Sequence, residues 1–320
     1  MIATLAVAFA VLVTSVCVIW WIVRRRIRRE LSGIFLTLLA FPFCFSLFLV
    51  AYIIYHLVTP VGPVLCLSEQ EGITLTRSTK SGDDPQQIVI AKVDLRRFTV
   101  AVSPPDLTDP QMRYRAMSTS DALRKYGGEL AVNASFFRPF RDKNLFDYYP
   151  HAGDLVSVVG GTVFNSREIT AVNTWPMLVN SNGQLKIVSA EDFSNRFNDG
   201  QPEMAVAGKS FLVKDGDVVA VSDGKRYPRT AVGLDATGSY VWLAVADGKQ
   251  PGHSEGIELD ALAKLMVEMG AIDAIELDGG GSSTMAVACN DKIKVINRPS
   301  HTNLPARERP VANHLIIRER

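Results

Sequence analysis

Asp278, Gly279, Gly280, Gly281, Ser282, Ser283 and Thr284 stand in a row where the apolar run Ile272 to Leu277 ends. Three successive glycines take every Cβ out of the turn, so backbone N–H groups can close around an oxyanion while the hydroxyls of Ser282, Ser283 and Thr284 add donors. The simpler alternative is a plain tight turn, although one or two glycines are enough for that. The run has neither the Lys of a P-loop nor the spacing of a dinucleotide-binding fingerprint, so no nucleotide assignment follows. Asp278, a carboxylate at the carboxyl end of a strand beside this loop, is the first candidate for a catalytic group. Glu276 lies two residues earlier. Strand alternation turns both carboxylates to one side, where each raises the other's pKa.

Three further segments carry chemistry. Arg229-Thr230-Ala231-Val232-Gly233 opens another strand, and an Arg at a strand mouth offers a planar fork to phosphate or carboxylate, or simply a surface ion pair. Asn133-Ala134-Ser135-Phe136-Phe137 ends a strand with a carboxamide that both donates and accepts, next to two aromatic rings that can floor a sugar pocket or belong to the core. His253, in the loop Gly252 to Gly256, is a candidate acid, base or binding group whose bland alternative is a solvated side chain. No HExxH, CxxC, GxSxG or calcium-loop spacing occurs, so no metal ligands are assigned and the cofactor stays unknown.

These groups need short strands to hold them. Alternation and β-branched residues predict strands at Gln87 to Asp94, Phe98 to Val102, Glu129 to Asn133, Gly161 to Asn165, Gln184 to Val188, Phe211 to Val213, Asp217 to Val221, Arg229 to Asp235, Tyr240 to Ala246 and Ile272 to Leu277. Helices are predicted at Ser118 to Tyr126 and, with one broad apolar stripe ended by Gly270, at Leu259 to Met269. Many strands and few helices point to an α+β domain of mixed β-sheets over residues 87–320. Arg138 to Gly161 has little periodicity but several charges and aromatics, as in a functional cover or a mobile insertion.

Ahead of this domain the composition changes. Of 34 basic and 33 acidic residues, residues 1–66 hold five and one, which leaves 29 against 32 in the remainder. A balance that close to neutral gives no field to hold a polyanion, so nucleic acid is excluded as the main partner. Ile2 to Val23 and Leu31 to Val58 are free of Asp, Glu, Lys and Arg, and each is long enough to span the roughly 30 Å apolar slab as a helix. They predict a two-helix transmembrane hairpin over residues 1–66 in contact with membrane lipid, then a tether over 67–86 with at most one short strand at Ile73 to Arg77. Arg24 to Glu30 between the runs would stay on the cytoplasmic side, placing the domain at the outer face of the cytoplasmic membrane. A cleaved signal peptide fits less well, because its positive charge precedes its apolar core. Cys17 and Cys44 read as small apolar residues. Cys66 and Cys289 either pair in an oxidising compartment or are unrelated thiols.

Taken in order, Asn133 to Phe137, Arg229 to Gly233, Asp247-Gly248 with Gly256-Ile257, Leu277 to Met285 and Arg309-Pro310-Val311-Ala312-Asn313 resemble the motifs of the phosphodiester glycosidase family over roughly Ile88 to Ile317. The resemblance implies hydrolysis of a glycosyl-1-phosphodiester to free sugar and a phosphomonoester, with a sugar-phosphate diester or cell-envelope glycan as partner. It also implies a site made of Asn133, Arg229, Asp278, the Gly279 to Ser283 loop and Arg309. On that reading Arg229, Arg309 and the glycine amides take the phosphate, Asn133 the sugar hydroxyls, and Asp278 acts as nucleophile, water activator or cation stabiliser. Two positions depart from the family pattern: Glu276, where Asn is usual, and Ala134-Ser135, where the loop is usually glycine-rich. A transferase of envelope polysaccharide and a non-catalytic glycan binder are the alternatives.

Overall fold

The computed structural model describes residues 13–18, 20–21, 43–56, 71–82, 84–197, 202–290 and 292–320. Among them no helix is long and apolar enough to cross a membrane, which corrects the expected transmembrane hairpin and its contact with lipid. Residues 43–56 are helical, but at 1.5 Å per residue they reach only about 21 Å of the roughly 30 Å a span requires. The rest of the two uncharged runs, the arginine-rich stretch between them and Cys66 lie outside the described residues.

The chain divides into two compact units, and the larger, Val61–Thr302 with Ala306–Arg320, contains every candidate residue. Its main sheet has seven strands in the order Ile73–Lys80, Gln86–Asp94, Tyr240–Ala246, Arg229–Leu234, Asp273–Leu277, Phe211–Lys214 and Asp217–Val218. All are antiparallel to their neighbours. The edge strand Ile73–Lys80 includes the short strand anticipated inside the tether. A second antiparallel sheet runs Lys292–Val295, Met285–Cys289, Leu130–Asn133, His314–Glu319 and Phe98–Val102. A third, also five-stranded, is built from segments between Thr162 and Ala207.

Alternation along the strands sets the layers. Val89, Ala91 and Val93 join Val232, Leu243, Ile275 and Leu277 in one core with Val100, Val132, Val287 and Leu315 of the second sheet. Ile88 and Ile90 project to the opposite face, where Leu262, Ala263 and Met266 of the helix Leu259–Glu268 cover them. The second sheet is likewise covered: Leu123 of the helix Thr119–Tyr126 packs on Ala131, Ala286 and Ile316. Ser118 caps that helix by accepting a hydrogen bond from the Asp121 amide at 3.1 Å. The predicted α+β content with few helices agrees with this arrangement. The helix Ala190–Arg196 was not predicted, although Ser189 three residues before Asp192 carries its capping signal, a 3.0 Å bond from the Asp192 amide to Ser189 Oγ.

Candidate active site

Strand register brings the chemistry to one end of the main sheet. Thr230 pairs with Leu277 and Ala231 with Glu276, so the start of Arg229–Leu234 and the end of Asp273–Leu277 lie side by side. Asp278, just past that end, donates its amide to Ala134 O at 2.9 Å, which ties the main sheet to the end of the strand Leu130–Asn133. Residues 145 positions apart in sequence thus share one corner.

Asn133 is the hub of this corner and is fully buried. Its Nδ2 donates to the Asp278 carbonyl at 2.6 Å, and its Oδ1 accepts from Thr230 Oγ1 at 2.9 Å and from the Thr284 amide at 3.1 Å. A carboxamide engaged in this way holds the turn in place, with Thr230 as one of its partners.

The glycine run folds into a 3-10 turn over Gly280–Ser282. Its amides do not converge on an anion as expected. Gly280 donates to Pro228 O, Ser282 to Gly279 O and Ser283 to Gly280 O, and the Gly279 amide serves the Asp278 carboxylate. The glycines are required for other reasons. A Cβ on Gly279 would stand 2.9 Å from Pro228 O, and Gly280 has a φ of 64°, in the left-handed region. A Cβ on Gly281 would stand 2.7 Å from Arg309 Nη2 and 2.9 Å from the Ser300 carbonyl. Since the backbone carbonyl cannot retreat cheaply, Gly281→Ala is expected to push the guanidinium aside and lower kcat/KM on a sugar-1-phosphodiester by about one to two orders of magnitude. Steady-state kinetics on the folded variant would check this, and unchanged kcat/KM would show that the position of Arg309 is immaterial.

Arg229 is held by a carboxylate. Its Nη1 lies 2.6 Å from Glu276 Oε1 in a buried ion pair, and its Nε donates to Ile257 O at 3.1 Å. Glu276 Oε2 has no hydrogen-bond partner among the described residues. Arg309 acts on Asp278: its Nη1 donates to Ser282 Oγ at 3.1 Å, and its charge lowers the pKa of Asp278. Burial nevertheless prevails and pushes the Asp278 carboxyl up to about 6, against the Arg309 charge, the Ser282 hydroxyl and the Gly279 amide; the Glu276 charge adds a smaller upward push. Asp278 is only partly covered, as a group that meets substrate must be.

Several neighbours escaped the sequence reading. The stretch expected to be a cover or an insertion contains a two-stranded hairpin, Arg141–Asn144 with Asp147–Tyr149, set apart from the larger sheets. From it Asp142 forms an ion pair with Arg309 Nη2 and lies 3.6 Å from His301 Nδ1. Arg309 and His301 hold the Asp142 carboxyl down to about 2, although its partial burial opposes them. Burial pushes the His301 pKa below its ordinary value despite Asp142 beside it. Tyr148 meets the His301 ring edge-on at 4.9 Å, and Phe140, just before the hairpin, lies under the Arg309 guanidinium at 4.6 Å.

His253 is elsewhere engaged. Its Nε2 is 2.8 Å from Asp247 Oδ2, and Asp247 in turn accepts from Asn297 Nδ2 and the Arg298 amide. Asn297 also donates to Ser283 O at 2.9 Å, so this network, with His253 at its far end, braces the glycine turn from behind. Among the described residues no group of three or more His, Cys, Asp or Glu is placed to hold a metal ion. A cavity of about 670 Å³, with Lys186, Lys214, Leu234 and Asp273 in its wall, opens at the other end of the strand that leads to Asp278 and contains none of the candidate residues.

The fold has solved counterparts. It is similar to the catalytic domain of zebrafish N-acetylglucosamine-1-phosphodiester alpha-N-acetylglucosaminidase, with a TM-score of 0.57 at 18% identity over 78% of this chain and 83% of that one. It is also similar to a Burkholderia pseudomallei K96243 protein, with a TM-score of 0.51 at 16% identity over 73% of this chain and 74% of that one. No curated protein matches the sequence. The model of the phosphodiester glycosidase family matches residues 126–318, more than half of the sequence, and the chain belongs to that family.

Proposed function

We propose that this protein hydrolyses a glycosyl-1-phosphodiester at Asp278. The observation that carries this reading is a half-buried aspartate at the end of a central strand, its carboxyl raised to about 6 by burial and flanked by Arg309 and Ser282. Family membership supplies the reaction class, sugar phosphodiester hydrolysis.

In the reaction the bond between C1 and the phosphate oxygen breaks, and both electrons of that bond leave with the phosphate. C1 passes through an oxocarbenium-like state and gains the oxygen of water, while a proton from that water is released. A phosphate leaving group needs charge stabilisation more than protonation, and Arg309 provides it. Asp278, once ionised, stabilises or attacks C1, or takes the proton of the incoming water. Asn133, Thr230 and the pair Arg229–Glu276 act by fixing the turn that carries Asp278.

Cys289 is disulfide-bonded, and Cys17 and Cys44 are free thiols. A structural disulfide is sustained outside the reducing cytoplasm, which supports a site of action beyond it.

The decisive experiment offers the purified protein a set of sugar-1-phosphodiesters in ¹⁸O-labelled water. The expected result is free reducing sugar that carries the label. Label in the phosphomonoester would mean P–O cleavage, a new glycosyl adduct would mean transfer, and binding without turnover would make the protein a glycan receptor; each of these would overturn the hydrolytic reading.

A further inference from the structure

The charge ledger of this corner has no obvious room for a strongly anionic ligand. Arg229 is matched by Glu276 at 2.6 Å, and Arg309 is matched by Asp142. Both carboxylates keep one oxygen unspent, since Glu276 Oε2 and Asp142 Oδ1 have no hydrogen-bond partner among the described residues. The face of Arg309 beside Phe140 meets an aromatic ring at 4.6 Å rather than another cation. The next guanidinium, Arg307, lies over the Tyr148 ring at 4.7 Å with Nη1 donating to Thr302 Oγ1, and its charge acts on His301. Burial keeps His301 from adding positive charge near neutral pH.

We infer that Asp142 is a specificity-determining residue, which sets the site to accept a monoanionic phosphodiester and to reject a dianionic phosphomonoester. This rests on the reading that the substrate phosphate docks at Arg309. A diester oxygen can share the guanidinium with Asp142, because one negative charge is all it brings. A monoester brings two, and the second meets the Asp142 carboxylate beside it. Repulsion between like charges a few ångströms apart in a poorly solvated site is large compared with thermal energy. The same residue therefore discriminates against sugar 1-phosphates as substrates and against the phosphomonoester that the reaction produces, which helps that product leave. Asp142 acts here by repulsion, a device that specificity commonly requires alongside attraction.

The test needs no turnover. Full-length protein and its Asp142→Asn variant are titrated calorimetrically at pH 8 with inorganic phosphate, chiefly a dianion there, and with dimethyl phosphate, a monoanion. The variant is expected to bind inorganic phosphate about tenfold more tightly and dimethyl phosphate less than about threefold more tightly. Equal gains for the two probes would overturn the inference, because simple unblocking of Arg309 would produce them; so would no gain, or no binding of phosphate to the variant. Asp142→Ser, which removes the charge with a smaller side chain, is carried in parallel, and thermal unfolding verifies that each variant is folded. Sugar release by the wild-type protein is measured separately, so loss of the hydrolytic reading and loss of this selectivity appear in different experiments.

Discussion

Asp278→Asn is expected to lower kcat on a sugar-1-phosphodiester by about three orders of magnitude while leaving the protein folded. The substitution keeps the shape of the side chain and removes only the charge that must face C1. In the wild-type protein the rate should climb about tenfold per pH unit to about 6, where the carboxyl releases its proton, and then level off. The residual activity of the variant should lack that acidic limb.

The raised pKa also fixes the sign of a stability effect. From about 4, the ordinary carboxylate value, up to about 6, the folded protein retains a proton that the unfolded chain has released, so stability falls as pH rises through this window. Asn has no charge to bury. Asp278→Asn should therefore be more stable than wild type by about 1–3 kcal/mol at pH 8, and the two should converge below about pH 4. Denaturant titrations at the two pH values measure this. A folded variant with undiminished kcat would remove Asp278 from the chemistry.

Arg229→Met should be the most damaging substitution for the fold. It leaves the Glu276 carboxylate buried without its guanidinium, a loss expected to cost about 3–5 kcal/mol. The double variant Arg229→Met with Glu276→Leu removes both charges, and it should recover most of that loss, because a buried pair replaced by apolar groups of similar volume is often close to neutral. Urea midpoints of the two single variants and the double form a cycle that yields the coupling directly. A double variant as unstable as Arg229→Met alone would show that Arg229 is needed for its bonds to backbone carbonyls rather than for Glu276.

The sequence exposes some of this corner and hides the rest for physical reasons. Asp278 and its turn were legible because three successive glycines after an apolar run have few uses, and the flanking strands announce themselves by alternation. The role of that turn was not legible. Whether an amide faces a ligand or closes a 3-10 turn depends on φ and ψ, which composition does not encode, and here Gly280, Ser282 and Ser283 spend theirs on backbone carbonyls. Arg229 and Glu276 were both candidates, yet only strand register reveals that they neutralise each other. Asp142 left no local trace: its strand, Arg141 to Asn144, is polar throughout, and its partner Arg309 lies 167 positions away. His253 looked like a free loop imidazole until the fold placed Asp247 beside it.

The strand His314–Glu319 runs between Leu130–Asn133 and Phe98–Val102, inside its sheet rather than at the edge. Every neighbour it pairs with emerges from the ribosome earlier, so until this segment arrives two apolar ladders wait with open edges. The second layer therefore closes only through contacts more than 180 positions apart in sequence, and pairing of that range is slow. Until it pairs, the nascent protein is vulnerable to edge-to-edge association, and loss of these few residues would leave a gap in the middle of the layer that positions Asn133.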